Sequence, residues 1–341
     1  MRSVRKSLNW VKLAGIALAA VVSCGAHADP IKLRFASFAP DTEQTFKTVF
    51  KPFAEAVNKD SGGTVQIELF PNGALGRNPV QQPQMVLDGI ADIAWIVPSF
   101  SPGRFPETEV FELPGLFRDL QEATLVFTRL MASKKINPFE QFVPLGTFTT
   151  DPYSIHSRTP IRTLADLKGR KIRVSGSIEG ETLRALGAVP IGMATTEVVE
   201  AIARGTIDGT TTHPSPLFDF GFVRVVNSHY FVKLGVLPIV MLMNKSKFDS
   251  LPKPAQDAII KHSGMWTANL FNANITAYNA ELVKRLADDP KRTLVTPSAA
   301  DLASAQIAFN SVIKTWTEKS PRNKQLLELV QGELAAVRAG K

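Results

Sequence analysis

Short β-type runs alternate with helical patterns along this chain, and near residue 150 the alternation starts again. Ile31, Leu33 and Phe35 alternate with Lys32 and Arg34 as in a half-buried strand. Phe46, Val49, Phe50, Phe53 and Val57 then recur at helical spacing until Ser61-Gly62-Gly63 stops the pattern. Residues 65–70 read as a second strand closed by Pro71-Asn72-Gly73, and 91–97 as a buried third. In the second half a strand at 171–174, helices at 178–186 and from 195, and a strand at 207–210 follow in order. The halves share one device: Leu87-Asp88-Gly89-Ile90-Ala91-Asp92 and Ala203-Arg204-Gly205-Thr206-Ile207-Asp208 each combine a helix end, a capping glycine and a strand start. Such alternation implies βαβ units on mainly parallel sheets, and its repetition implies two similar α/β lobes with a cleft between them. A length of 341 residues accommodates two domains of ordinary size.

After Pro238 a strand at 239–244 precedes long helical patterns over 254–287 and 299–316 and an amphipathic stretch at 323–337. The expected organisation is a signal segment at 1–28, a first lobe of 29–150 with about 239–280, and a second lobe of 151–238 with about 281–320. A C-terminal helix occupies 321–341, and the hinge lies at the crossings near Asp151 and Pro238.

The segment 1–28 has the pattern of a secretory signal: Arg2, Arg5, Lys6 and Lys12 precede an apolar run at 13–22, and Ala26-His27-Ala28 supplies the small residues of a cut before Asp29. The competing reading is a lipoprotein box at Val21-Val22-Ser23-Cys24. No later run reaches the roughly 20 apolar residues of a membrane span. The segment holds four of the 39 Lys and Arg and none of the 31 acids, so the net charge falls from +8 to +4 once it is gone. That mild balance, with no basic block, excludes nucleic acid as the expected partner. The single cysteine, Cys24, leaves with the segment, as suits an oxidising compartment.

Beyond these patterns the chain resembles a known family. Val110-Phe111-Glu112-Leu113-Pro114-Gly115-Leu116-Phe117 and Leu164-Ala165-Asp166-Leu167-Lys168-Gly169-Arg170-Lys171-Ile172-Arg173-Val174 are similar to the DctP-type solute-binding subunits of tripartite ATP-independent periplasmic (TRAP) transporters. Gly187-Ala188-Val189-Pro190, Glu197-Val198-Val199-Glu200-Ala201-Ile202, Asp208-Gly209, and Asn244 with Phe248 and Leu251-Pro252 follow in the family's order. The resemblance implies a two-lobed periplasmic binding protein, type II-like. It would be monomeric, would close on one small organic acid, and would deliver it to a permease of two membrane subunits.

It also implies that Arg173 pairs with the ligand carboxylate. Strand alternation agrees, since it turns Arg173 away from Ile172 and Val174 at a strand's carboxyl end, where open α/β sheets bind ligands. A guanidinium offers a planar donor fork matched to a carboxylate, and Ser175-Gly176-Ser177 then begins a helix whose N–H groups favour an anion. Three departures bear on the acid. Tyr153 stands where sialic-acid-binding members carry a second arginine, Phe38 sits in a loop that is polar in those members, and Val97-Pro98-Ser99-Phe100 replaces their charged side chains. An apolar, aromatic pocket with one anion anchor follows, suited to an aromatic or hydrophobic monocarboxylate, because a sugar acid would leave hydroxyls unpaired at about 1–3 kcal/mol each. Thr212 and His213 are alternative contacts from the family's second ligand loop.

Phe218, Phe220, Trp95, Trp266 and Trp316 read as core residues, with Trp95 close to the pocket strand. His156, His229 and His262 are dispersed and suggest no metal site, and no cofactor motif is present. The sequence holds no G-x-S-x-G elbow, H-E-x-x-H or Walker loop, so an enzyme is not expected. The alternatives are a binder of a C4-dicarboxylate, 2-oxo acid or sugar acid within the family, and outside it a periplasmic hydrolase or a sensor's ligand subunit.

Overall fold

The computed structural model describes residues 29–341, so the expected signal segment, Cys24 and the cut after Ala28 lie outside the described residues. Among the described residues no helix is long and apolar enough to cross a membrane. Eleven strands are present there: β1 Ile31–Ala36, β2 Val65–Phe70, β3 Ile93–Ile96, β4 Phe142–Thr149, β5 Ser154–Ser157, β6 Lys171–Val174, β7 Val189–Gly192, β8 Gly209–Thr212, β9 Ser228–Tyr230, β10 Pro238–Asn244 and β11 Thr293–Val295. They form two sheets, ordered β2-β1-β3-β10-β4 and β11-β9-β5-β8-β6-β7.

Each sheet is mainly parallel, as the alternation implies, with one strand reversed. β1 runs parallel to β2 and β3, and β6 to β7 and β8, as βαβ units require. However, β10 is antiparallel to β3 and β4, and β5 is antiparallel to β8 and β9. The cause is the chain's double crossing: β5 and β10 each enter their sheet from the other one, and so run against the strands that end there.

The repeated sequence device has one job in both lobes. Gly89 and Gly205 take positive φ values of 68° and 72° after their helices, which a side chain would resist. The aspartate three residues on then grips the neighbouring parallel strand. Asp92 N–H donates to the Arg34 carbonyl while its Oδ2 accepts the Arg34 amide at 2.7 Å. Asp208 N–H likewise donates to Lys171, and its Oδ2 accepts the Lys171 amide at 2.8 Å. Each carboxylate therefore fixes the register of the strand that leads to the cleft.

Two crossings and one long helix join the sheets. The crossings are bonded to each other: Tyr153 N–H donates to the Gly235 carbonyl at 3.0 Å, and Leu234 N–H to Tyr153 at 2.9 Å. Gly235 lies so close to the Glu112 carbonyl that a Cβ there would come within 2.0 Å of it. The helix Met265–Asp288, about 36 Å long at 1.5 Å per residue, packs on β4 near its start and buries Leu286 against the second lobe's Phe222 and Val226 near its end. The helix Ala299–Glu318 rests on the helix Ser177–Ala185, and Pro321–Arg338 returns to the first-lobe helix Leu120–Ala132, where Arg338 pairs with Glu122 at 2.7 Å.

Asp208→Ala should leave the Lys171 amide without its acceptor and cost about 1–2 kcal/mol, a fall of roughly 2–6 °C in melting temperature. Thermal unfolding followed by circular dichroism checks this, and an unchanged melting temperature would contradict the register role.

Candidate functional site

A cavity of about 50 Å³ lies between the sheets, walled by both lobes, both crossings and the long helix. Phe38, in the loop after β1, stacks on Trp95 of β3 with ring centroids 4.9 Å apart, and Trp95 meets Phe50 edge to face. Val97 and Phe100 extend this wall, and Tyr153 from the first crossing stacks on His213 at 5.7 Å. Phe38, Val97, Phe100, Tyr153 and His213 thus line one cavity. Arg173 and Thr212 do not line it; Arg173 adjoins it through Thr195, and the Thr212 carbonyl faces His156 Nε2 at 3.3 Å. Trp95 and Phe220, expected in the core, also line the cavity, whereas Trp316 is fully buried far from it, donating to Glu109. Phe218 instead lies under the Arg285 guanidinium, 4.4 Å from ring centre to Cζ. An open groove of about 540 Å³ adjoins on the other side of Phe100, between Ser99 and the Ser175-Gly176 turn.

Arg173 is buried at the end of β6, 1% exposed, with its Cζ 5.9 Å from the Phe100 ring centre. Its Nε donates to the Met193 carbonyl at 2.9 Å and its Nη2 to Thr195 Oγ1 at 3.2 Å, Thr195 being part of the cavity wall. A guanidinium has five N–H groups, so the Nη1 pair and one Nη2 hydrogen are left for a further acceptor. Burial pulls the Arg173 pKa down, and the nearby Glu179 opposes that pull. A full positive charge is therefore held at the seam of the lobes.

Buried acids neighbour that charge. Glu179 accepts the Ser175 amide, and burial raises its pKa against the attraction of Arg173. Glu112 accepts Ser99 Oγ at 2.6 Å, and burial with the charge of Glu179 pushes its carboxyl up to about 8. Glu112 therefore favours its neutral form at neutral pH, and Glu179 is the buried acid whose charge acts on Arg173. At the other end of the cavity, burial and Asp219 raise Glu43 to about 7, although Thr45 Oγ1 and the Phe46 amide both donate to it. None of these four acids stood out in the sequence. Glu43 reads as an ordinary helix-start acid, and Glu112 and Glu179 are 67 residues apart along the chain.

The histidines are not all dispersed. His156 and His229 meet through their Nδ1 atoms at 2.8 Å inside the second sheet, and burial lowers both pKa values, that of His229 to about 4. Among the described residues no group of three or more His, Cys, Asp or Glu is arranged to hold a metal.

Two sheets joined by paired crossings, with a buried guanidinium and an aromatic cavity at the seam, define a two-lobed binding protein for a small anion. Residues 35–320 match the bacterial extracellular solute-binding protein family 7, DctP, and the chain belongs to that family. It is therefore a solute-binding subunit of the TRAP type, and its family is one of receptors, not enzymes. It is 30% identical over 250 residues to the C4-dicarboxylate-binding periplasmic protein DctP of Rhodobacter capsulatus, covering 72% of this chain and 74% of that one. Its fold superimposes with a TM-score of 0.85 on a marine metagenome TRAP solute-binding protein specific for aromatic acids, in complex with 3-hydroxybenzoate, at 26% identity and covering 91% of this chain and 99% of that one. A TRAP solute-binding protein of Rhodoferax ferrireducens T118 with copurified benzoate is equally similar, with a TM-score of 0.85, 26% identity and coverage of 91% and 100%.

The buried acids set a pH dependence. Glu43 and Glu112 have folded pKa values of about 7 and about 8 against 4.5 for the free side chain, so their stabilisation is full below 4.5 and is lost as the pH rises through 7 and 8. His213 and His229, held neutral by burial with pKa values of about 3 and about 4, contribute above 6.5 and lose that contribution as the pH falls. The melting temperature should decline from pH 6.5 to pH 8.5, and Glu112→Gln, which fixes the neutral form, should flatten that decline. A variant that declines as steeply as the wild type would contradict the assignment to Glu112.

Proposed function

We propose that the protein captures an aromatic or otherwise hydrophobic monocarboxylate in the periplasm and, as a monomer, passes it to the membrane subunits of a TRAP permease. The observation that carries this reading is Arg173, buried at the seam beside Phe100 and Thr195 of a cavity wall that also holds Phe38, Trp95 and Tyr153. A carboxylate reaching its remaining N–H groups would form a two-pronged, charge-assisted pair, while the ring behind it replaces water against aromatic surface. The aromatic acids bound by the two similar solved proteins support the same class of ligand. Tyr153 and His213 border the carboxylate end, Phe38, Val97 and Phe100 hold the ring, and Thr212 acts from behind through β8.

A C4-dicarboxylate, the ligand named for the Rhodobacter relative, fits this cavity less well. Apart from Arg173, which adjoins the cavity wall at Thr195, no Lys or Arg borders the cavity, and Asp219 would repel a second carboxylate. The mature protein begins at Asp29 in this reading, as N-terminal sequencing would reveal, and the lobes are 29–150 with about 239–280 and 151–238 with about 281–320. They close about the crossings at Asp151 and Pro238, with 321–341 bracing the first.

Arg173→Ala should weaken benzoate binding by about 2–5 kcal/mol, roughly thirty-fold to several thousand-fold, and Arg173→Lys should recover little of it because an ammonium cannot form the fork. Titration calorimetry reads both. Near-wild-type affinity in Arg173→Ala, or stabilisation of the wild type by succinate and not by benzoate, would overturn the proposal.

A further inference from the structure

The cavity carries polar atoms that an unsubstituted ring would leave unanswered. Asp219, at the end of the helix Pro214–Asp219, accepts Tyr278 Oη at 2.6 Å through Oδ1, but its Oδ2 is buried with no hydrogen-bond partner. The Gln44 amide is near enough to lower the pKa of this carboxylate, but no hydrogen bond reaches Oδ2. Trp95, 5% exposed and lining the same cavity, has an indole N–H with no acceptor. Glu43 beside them is satisfied, since both its oxygens already accept from Thr45 and Phe46. The residues that carry this orphaned acceptor and this orphaned donor therefore line one small cavity.

Asp219 belongs to a different set of charges from the carboxylate anchor: Glu179, Tyr153 and Glu197 act on Arg173, whereas Asp219 acts on Glu43 and is itself acted on by Lys47. A ligand group placed here must donate to Asp219 and can also accept from Trp95. A second carboxylate cannot donate, and Asp219 would repel it. An ammonium can donate, but it leaves the Trp95 N–H without an acceptor. A hydroxyl does both, because its hydrogen goes to the carboxylate and its lone pairs face the indole.

Building on the reading that the ligand is an aromatic monocarboxylate, we infer that it carries a hydroxyl on the part of the ring remote from the carboxylate, and that Asp219 is the residue that selects it. Tyr278 is a positioning residue here, holding the carboxylate in place through Oδ1. The geometry also explains why an otherwise apolar wall keeps an acid at its margin: leaving a buried acceptor unpaired disfavours the unsubstituted acid.

Calorimetry on the full mature protein with benzoate, 3-hydroxybenzoate, 4-hydroxybenzoate and 3-(aminomethyl)benzoate tests this. The better of the two hydroxybenzoates should bind about 10- to 100-fold more tightly than benzoate, as expected for a hydrogen bond to a charged group. Asp219→Asn should shrink that ratio to about threefold or less, and Trp95→Phe should reduce it partly. Because benzoate is the reference within each variant, a general loss of folded protein cancels from the ratio. Equal affinities for benzoate and both hydroxybenzoates, a ratio unchanged by Asp219→Asn, or tightest binding of the ammonium compound would each overturn the hydroxyl assignment while leaving Arg173 as the anchor. If no ring acid binds and succinate does, the aromatic reading fails and the hydroxyl assignment fails with it.

Discussion

A guanidinium that is 1% exposed at the seam of two lobes is the constraint around which the site is built. Charge taken out of water is costly unless partners surround it, and Arg173 has three kinds of partner. Met193 and Thr195 occupy two of its N–H groups, Glu179 supplies an opposing charge, and the remaining donors are available to a carboxylate. A ligand that supplies that carboxylate favours the arrangement in which Arg173 is enclosed, and differential contact of this kind is what shifts a two-state equilibrium. Burial holds Glu112 toward its neutral form, which limits the negative charge beside the guanidinium.

The scaffold makes this seam with few parts used twice. Asp92 and Asp208 clamp the strands that lead to the cleft, and both strand ends deliver site residues, Phe38 just beyond β1 and Arg173 within β6. The paired crossings then place Tyr153 and Leu237 between the lobes, and the close approach of Gly235 to Glu112 ties the second crossing to the acid cluster. Through the long helix, Asn279 accepts Ser215 Oγ from the cavity wall and donates to Asp151 at 2.8 Å, so the wall, the helix and the first crossing are linked by one hydrogen-bonded chain.

Much of this was legible in the sequence because the signals are local. Strand and helix periods, capping glycines and the two aspartate devices are written within windows of ten residues, and Arg173 sits in a strand whose alternation fixes its direction. Phe38, Val97, Phe100, Tyr153 and His213 were legible as loop and strand-end residues beside recognisable motifs. The acids were not. Glu112, Glu179, Glu43 and Asp219 look like ordinary surface carboxylates until the fold buries them, and which ones meet depends on the angle between lobes rather than on any spacing. The one reversed strand in each sheet escaped for a related reason, since strand direction at β5 and β10 is decided by the double crossing and not by the pattern of the strands themselves. The pairing of His156 with His229 depends on adjacency of β5 and β9, which only the sheet order reveals.

The central claim is that a carboxylate on Arg173 holds the lobes together. Small-angle scattering of the mature protein with and without saturating benzoate tests it most directly, with Arg173→Ala measured alongside at the same benzoate concentration. The account predicts a smaller radius of gyration for the liganded wild type and no change for Arg173→Ala. Compaction of equal size in both proteins, or none in a wild type shown by calorimetry to be saturated, would contradict it.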